Sequence, residues 1–455
     1  MPTAYTILFL LLILVAAATW IIPAGSYDYV DGVPVAGTYH TVEQNPQGVG
    51  DVLKAAFSGF YDAVDVCIFI LMVGGFLGVV MKTGAVDAGV GNVIRLLGGR
   101  EKWLIPILML LFGLGGTTYG MWEETMAFYP LLIPVFLAAG YDAVVGISVI
   151  LLGAGAGVIA STVNPFATGI AAGFAGVSLG EGIVLRLLEW VAFEAAAIWF
   201  VMAYAAKVKK NPSKSVVGVG AGKIQVSMDQ QVSFTAKRKV IMALFTLTFL
   251  IMVYAVVPFD EMGLSLPALG WWFPELSALF LVAGVVIGLI DRMSEEELVE
   301  TYVAGCADLL GVAFIIGISR GITVLMNDGA ITDTVLHWGE QALSGAGAIS
   351  FTLLVFALYL PLTILIPSSS GLATLSIPIV APLGKFAGVG GDLVVTAFQS
   401  ASGLVNIITP TAAVVMGALA LGHVPYDRWV KYVWKLILYF LLLTMAFLIV
   451  GALLG

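Results

Sequence analysis

The stretch "ASTVNPFATGIAAG", residues 160–173, decides how this chain is read. It lies inside a strongly apolar run, yet Ser161, Thr162, Asn164 and Thr168 cluster around Pro165. Proline removes a backbone donor and clashes with the preceding helical turn. A helix broken at bilayer depth exposes polar backbone, which is tolerated only where protein or a water-filled cavity surrounds it.

The bilayer follows from composition. Of 455 residues, 60% are hydrophobic and 11% charged, against about 25% charged in a soluble domain. Apolar runs of about 20 residues, enough to cross about 30 Å of hydrocarbon, recur along the chain. The fold class is an all-α polytopic membrane protein. Residues 4–23 read as a first permanent helix, because no basic segment precedes them and no clear cleavage site follows. Cys67 and Cys306 lie in different apolar spans and read as packing residues. His40, His337 and His423 form no ligand-spaced motif, so no cofactor is expected.

Basic residues orient the path. Segment 207–239 carries Lys207, Lys209, Lys210, Lys214, Lys223, Lys237, Arg238 and Lys239, eight of the chain's 20 Lys and Arg. It reads as a cytoplasmic linker. The loop at 24–50 has Asp28, Asp31 and Glu43 but no Lys or Arg, and is placed outside. Between these anchors, 61–81 runs inward and 84–98 reads as a surface helix carrying Arg95. Block 101–140 fits a re-entrant hairpin with "GGTTYGMWEET" at its tip, 142–175 is a broken span, and 183–206 returns to the linker.

The second half repeats the first. "VVMKTGAVD" (79–87) aligns with "VLMNDGAIT" (324–332) at an offset of 245 residues. The same offset carries Pro165 onto Pro410 in "NIITPTAAVVMG", and Glu123, Glu124 and Thr125 onto Ser368, Ser369 and Ser370 in "LIPSSSGLATLSIP". The organisation is a first helix and outer loop (1–50), repeat 1 (51–206), the linker (207–239), two linking helices (240–292) and repeat 2 (293–455). Repeat 2 holds an outer-side hairpin at 346–386 and a broken helix at 391–422. The two copies start on opposite sides of the membrane, an inverted-topology design of secondary transporters. The expected count is about eleven transmembrane helices plus two hairpins.

Half-helix N-termini suit carboxylates, and free carbonyl ends suit small cations. Two tips and two breaks therefore define a candidate substrate site of Glu123, Glu124, Thr125, Ser161, Thr162, Asn164, Thr168, Ser368, Ser369, Ser370, Asn406, Thr409 and Thr411. Sodium is a candidate ligand of Asn164, Asn406 and neighbouring carbonyls. A single Pro or Ser/Thr cluster in a membrane helix is ordinarily a kink or packing feature. Four interruptions in matched positions favour the functional reading.

"TVNPFATGIA", "GMWEETMAFYP", "IPSSSGLATLSIP" and "NIITPTAAVVMG" resemble the anaerobic four-carbon-dicarboxylate carrier family in its YfcC-like branch, within the ion-transporter superfamily. The resemblance covers nearly the whole chain. It implies homodimers in a prokaryotic inner membrane, each protomer pairing a fixed scaffold with a transport domain that moves as an elevator. Related families carry Ser-Asn-Thr motifs at the tips for sodium and carboxylate; here the tips read Glu-Glu-Thr and Ser-Ser-Ser.

A carboxylate near the bilayer centre costs about 2.5–3.5 kcal/mol on insertion scales, which singles out Glu123 and Glu124. Such a group binds an ammonium or guanidinium, ligates sodium, or carries a proton. No basic residue lies in either tip or break, which favours an amino acid, including a basic one, over a four-carbon dicarboxylate. Arg320 reads as a tie between scaffold and transport domain, with a substrate carboxylate as its other candidate partner. Asp62, Asp65 and Asp308 read as span-end groups, Arg186 and Glu189 as an i,i+3 pair, and Glu194 stays unassigned. The function expected is an ion-coupled carrier, by symport or exchange driven by sodium or protons, for a small carboxylate-bearing metabolite. A channel would need a continuous polar pore. An enzyme or a nucleic-acid binder finds no supporting constellation.

Overall fold

A computed structural model describes residues 4–31, 33–86, 88–89, 100–118, 120–178, 180–218, 235–256 and 266–454. Among these are 17 α-helices and two small two-stranded ribbons. Most of the expected surface helix at 84–98, with Arg95, and linker residues 219–234 lie outside the described residues.

Helix α1 (Ala4–Ala18) stops short of the expected residue 23. The Thr19 hydroxyl turns back to donate to the Ala16 carbonyl (2.6 Å). Pro23 then biases the residue before it away from helix. Helices α2 (Val49–Asp62) and α3 (Val64–Lys82) are separated at Ala63, and both pack along α11 (Glu295–Asp328). At 34 residues α11 is about 51 Å long. Its start is fixed by Ser294, whose hydroxyl accepts from the Glu297 N–H (3.2 Å). Glu295, Glu296 and Glu297 complement the helix dipole there. The close crossing has a cause in sequence: a Cβ on Gly74 would lie 2.5 Å from the Gly305 carbonyl oxygen. Small residues let membrane helices approach backbone to backbone. Helix α10 (Phe273–Asp291) covers the other side of α3, and α9 (Ala236–Val256) packs on α10.

A second group of helices packs beside these. Helix α4 (Leu104–Thr118) leads to a 3₁₀ turn over Glu123–Phe128 and then α5 (Tyr129–Ala138). Helix α6 (Ala143–Ile159) is followed by the π-turn Pro165–Gly169 and α7 (Ile170–Ala175). Helix α8 is Ile183–Lys210, and α12 is Thr332–Leu343. The chain continues with α13 (Ala348–Leu365), α14 (Ser369–Phe386), α15 (Gly391–Asn406), α16 (Ala413–Leu421) and α17 (Tyr426–Leu454). Helix α6 is buried along its whole length and α15 nearly so. They form the core that α4, α8, α13 and α17 surround.

Among the described residues, five helices have the length and apolarity to cross a membrane. Their outward faces carry large apolar side chains such as Leu281, Val282, Leu438 and Leu442, the surface of a multi-pass membrane protein.

The two ends of α11 meet different surroundings. Near its start, Lys82 pairs with Glu297 (3.6 Å) and Lys237 with Asp291 (2.6 Å), close to the flanks of the lysine-rich segment. Near its end, the 24–48 loop folds into β1 (Gly25–Ser26) with β4 (His40–Thr41), and β2 (Tyr29–Val30) with β3 (Val33–Pro34). This loop docks on α12: the Tyr27 N–H and Tyr29 hydroxyl donate to Asp333, and the Tyr39 ring stacks on His337 at 4.0 Å.

Candidate substrate cavity

The first hairpin tip is shaped by its backbone. Gly120 sits at φ +78°, and a Cβ there would lie 2.5 Å from the Asn164 amide nitrogen. The tip thus presses on the interruption after α6. Thr117 completes that contact, because its carbonyl accepts from the Thr162 N–H (2.8 Å) and hydroxyl (2.9 Å) while its own hydroxyl donates to the Ala160 carbonyl (2.7 Å). Helical hydrogen bonding lost at the break is replaced from the neighbouring hairpin, which answers how the break is sustained. The Gly169 N–H reaches the Asn164 carbonyl (2.8 Å), and the Asn164 side-chain oxygen accepts from the Ala167 N–H (3.3 Å).

The second interruption is held by α17 and α11. Trp429 donates its ring N–H to the Ile407 carbonyl (3.1 Å), Tyr426 its hydroxyl to the Ile408 carbonyl (2.8 Å), and Ser319 its hydroxyl to the Thr411 carbonyl (2.9 Å). In the second tip, Ser368 caps α14 by accepting from the Gly371 N–H (3.2 Å).

Both tips and both interruptions open on one cavity of about 150 Å³. At about 10–15 Å³ per water on this measure, it has room for roughly ten waters, hence for a small metabolite. Of the residues singled out in the sequence, Glu123, Glu124, Asn164, Ser368, Ser369, Ser370, Asn406 and Thr411 line it. Thr125, Ser161, Thr162, Thr168 and Thr409 are not among the lining residues. Thr125 donates back to the Trp122 carbonyl, Thr162 is committed to Thr117, and Thr409 shares a hydrogen bond with Thr411 (2.9 Å). Ser161 and Thr168 are fully buried, their hydroxyls without a partner among the described residues. The two glutamates differ: Glu124 is buried and accepts from the Trp122 N–H (3.1 Å), whereas Glu123 is partly exposed.

Three polar lining residues were not assigned to the site from sequence. Ser319 and Arg320 enter from α11, and Gln399 enters from α15, where its amide donates to the Val158 carbonyl (2.7 Å). The ion-pair partner of Arg320 is Asp62 of the adjoining α2, at 3.6 Å. The signal was in the sequence, since an intramembrane arginine marks a functional site by default. Gln399 had no such signal, lying mid-helix among other uncharged polar residues, Thr396, Ser400 and Ser402, with no proline beside it. Arg186 and Glu189 are both buried: Arg186 donates to the Glu181 carbonyl (2.9 Å), and Glu189 accepts from Ser400 (3.1 Å). Glu194 is buried against α4, and neither of its oxygens has a partner among the described residues. Among the described residues no group of three His, Cys, Asp or Glu could hold a metal ion.

The sequence profile described as the C4-dicarboxylate anaerobic carrier, DcuC, matches residues 1–453. The chain belongs to this carrier family. Within it the carrier falls in the YfcC-like branch: it is 30% identical over 480 residues to the Escherichia coli "Putative basic amino acid antiporter YfcC", covering 95% of this chain and 92% of that one. It is also 35% identical over 501 residues to an uncharacterized protein of Haemophilus influenzae, covering 99% and 96%. Among solved structures, the Alcanivorax borkumensis YdaH transporter aligns with a TM-score of 0.46 at 14% identity, covering 99% of this carrier and 98% of that chain. Neisseria gonorrhoeae MtrF, a member of a class of antimetabolite efflux pumps, aligns with a TM-score of 0.43 at 18% identity, covering 99% and 95%.

The lining predicts a graded response in this carrier. Asn164→Ala removes an amide that faces the cavity and should weaken substrate binding by about tenfold, the worth of about 1.4 kcal/mol. Thr409→Ala, outside the lining, should leave affinity within about twofold and lower the melting temperature instead. Ligand titrations and thermal unfolding of both variants check this. Comparable losses of stability with no change in affinity in either variant would show that the two breaks act through packing alone.

Proposed function

We propose that this carrier transports a basic amino acid, as an ion-coupled symporter or an exchanger. The observation that carries the reading is one small cavity holding Arg320 opposite two carboxylates, Glu123 and Glu124. A basic amino acid presents one carboxylate and two cations, the complement of that set. Arg320 offers a planar donor fork to the substrate carboxylate, and the glutamates take the ammonium and the side-chain cation. A four-carbon dicarboxylate would place two negative charges beside two others with one arginine to offset them. The name of the E. coli relative, a basic amino acid antiporter, supports the same choice. The family's own description favours the dicarboxylate, which is the second reading.

The mechanism proposed is an elevator of inverted repeats. Residues 49–82 and 295–328 pack antiparallel, since Lys82 meets Glu297 at one end while Asp62 meets Arg320 towards the other. Later elements recur in the same order, each paired boundary lying 243–248 residues apart from α2 to α17 when the Glu123–Phe128 turn is counted with α5. Threaded this way, the described residues make nine proposed crossings and two hairpins. The cavity lies where α10 and α11 face the two hairpins. This supports α2, α3, α10 and α11 as scaffold and the second group as the moving part. Asn164 and Asn406, at adjoining half-helix ends, supply oxygens for a coupling sodium; a proton on a tip carboxylate is the other candidate. A homodimer in a prokaryotic inner membrane, with 207–239 cytoplasmic, completes the proposal.

Uptake into proteoliposomes tests the substrate. Labelled arginine or lysine should saturate and show counterflow, whereas succinate should neither be carried nor compete. The reverse pattern would establish the dicarboxylate reading. For topology, a cysteine at Lys214 should react with an impermeant reagent only from the cytoplasm, and one at Val33 only from outside. Labelling of both from one face would eliminate the inverted arrangement.

A further inference from the structure

We propose that the trough between α8 and α17 is a binding site for an anionic phospholipid. The two helices meet through aromatic contacts, Phe193 with Phe440 (4.8 Å) and Phe200 with Tyr432 (4.9 Å). On one face of α8, Ala192, Ala195, Ala196 and Ala203 recur at helical spacing, and their small side chains leave a depression. Its volume is about 920 Å³. Trp199 and Trp434, 71% and 50% exposed, stand beside it as walls. Large rings left uncovered beside a row of alanines make a surface for acyl chains, and tryptophan is favoured at the bilayer interface.

Charge selects the headgroup. Lys207, Lys214, Lys431 and Lys435 border this one trough, and all four are exposed. Of these four, only Lys431 has a carboxylate within ion-pair distance among the described residues, Asp427 at 3.4 Å. Cations gathered beside an apolar groove between membrane helices match an anionic lipid headgroup. Dimensions agree: Ala192 to Lys207 spans about 22 Å of helix, close to one leaflet with its headgroup layer. Farther from the lysines the same pair of helices borders a wholly apolar hollow of about 510 Å³, lined by Val184, Leu188, Leu443 and Phe447. A soluble anion would leave the alanine trough unfilled, and a zwitterionic lipid would leave the lysines without a net countercharge.

The test uses the purified full chain, delipidated in neutral detergent, with the melting temperature read against added phosphatidylglycerol, phosphatidylcholine or inorganic phosphate. Phosphatidylglycerol should raise it saturably, as a ligand of the native state does; the other two should not. At about fivefold per lysine, the double variant Lys431→Gln/Lys435→Gln should weaken the apparent affinity roughly 25-fold. Lys431→Arg/Lys435→Arg should retain it, and Ala196→Trp, which fills the trough, should abolish the response. An equal shift with phosphatidylcholine, or unchanged affinity in the double Gln variant, would overturn the proposal. A shift with phosphate alone would assign the lysines to a soluble anion. Dimerisation that Ala196→Trp abolishes, with no lipid response in the parent chain, would assign the trough to a second copy.

Discussion

Arg320→Gln is expected to weaken transport of every carboxylate-bearing substrate by about 10- to 150-fold, the worth of one hydrogen-bonded charged contact. Arg320 is the basic residue of the cavity lining, so neither the hydroxyls of the second tip nor the asparagine amides replace its charge. The fold should survive. The Arg320–Asp62 pair is loose at 3.6 Å and Asp62 is half exposed, so water takes over what Arg320 leaves. Glu123→Gln is the complementary test. It should weaken arginine or lysine by a similar factor and neutral amino acids less, because only the basic substrates carry a second cation. Glu124→Gln should weaken basic and neutral amino acids alike and also lower thermal stability, since its carboxylate takes the ammonium and holds the Trp122 N–H in a buried tip. Initial rates over substrate concentration, with melting temperatures for each variant, separate these effects. Should Glu123→Gln improve succinate binding while sparing arginine, the cavity belongs to a dicarboxylate.

The second large effect is expected at Gly120→Ala. A side chain at φ +78° costs about 1–2 kcal/mol. Here its Cβ would also lie 2.5 Å from the Asn164 amide nitrogen. Overpacking of that kind costs about a further 1–3 kcal/mol or displaces the neighbour. What moves is the interruption that lines the cavity, so transport should fall more than tenfold. Gly140→Ala provides the control. Gly140 has φ +82° but nothing within 4 Å of its added Cβ, so it should suffer only the conformational cost and keep transport. Equal loss of transport in the two variants would show that the contact between first tip and first break is dispensable.

Much of this architecture is legible in the sequence, because hydropathy, proline and the positions of lysines act locally. An apolar run of 20 residues specifies a buried or lipid-facing helix wherever it sits, and Asn164-Pro165 ends one. The offset of 245 residues is likewise present in the order of motifs alone. Two boundaries escaped such reading. Helix α1 ends early on a hydrogen bond from Thr19, and α2 and α3 divide at Ala63, where no proline marks the break.

What the tertiary structure alone decided is which polar groups share a space. Thr162 and Asn164 are two residues apart, and both looked like ligands. Packing sends the first to Thr117 and leaves the second on the cavity. Arg320 lies about 200 residues from Glu123, and no local pattern relates them. They meet because glycines at positions 74 and 305 let α3 and α11 approach closely, turning one face of α11 towards the hairpin tips. The sequence by itself determined a membrane carrier with matched breaks. The charge balance of its cavity, on which the choice of substrate turns, was decided by contacts between segments far apart in the chain.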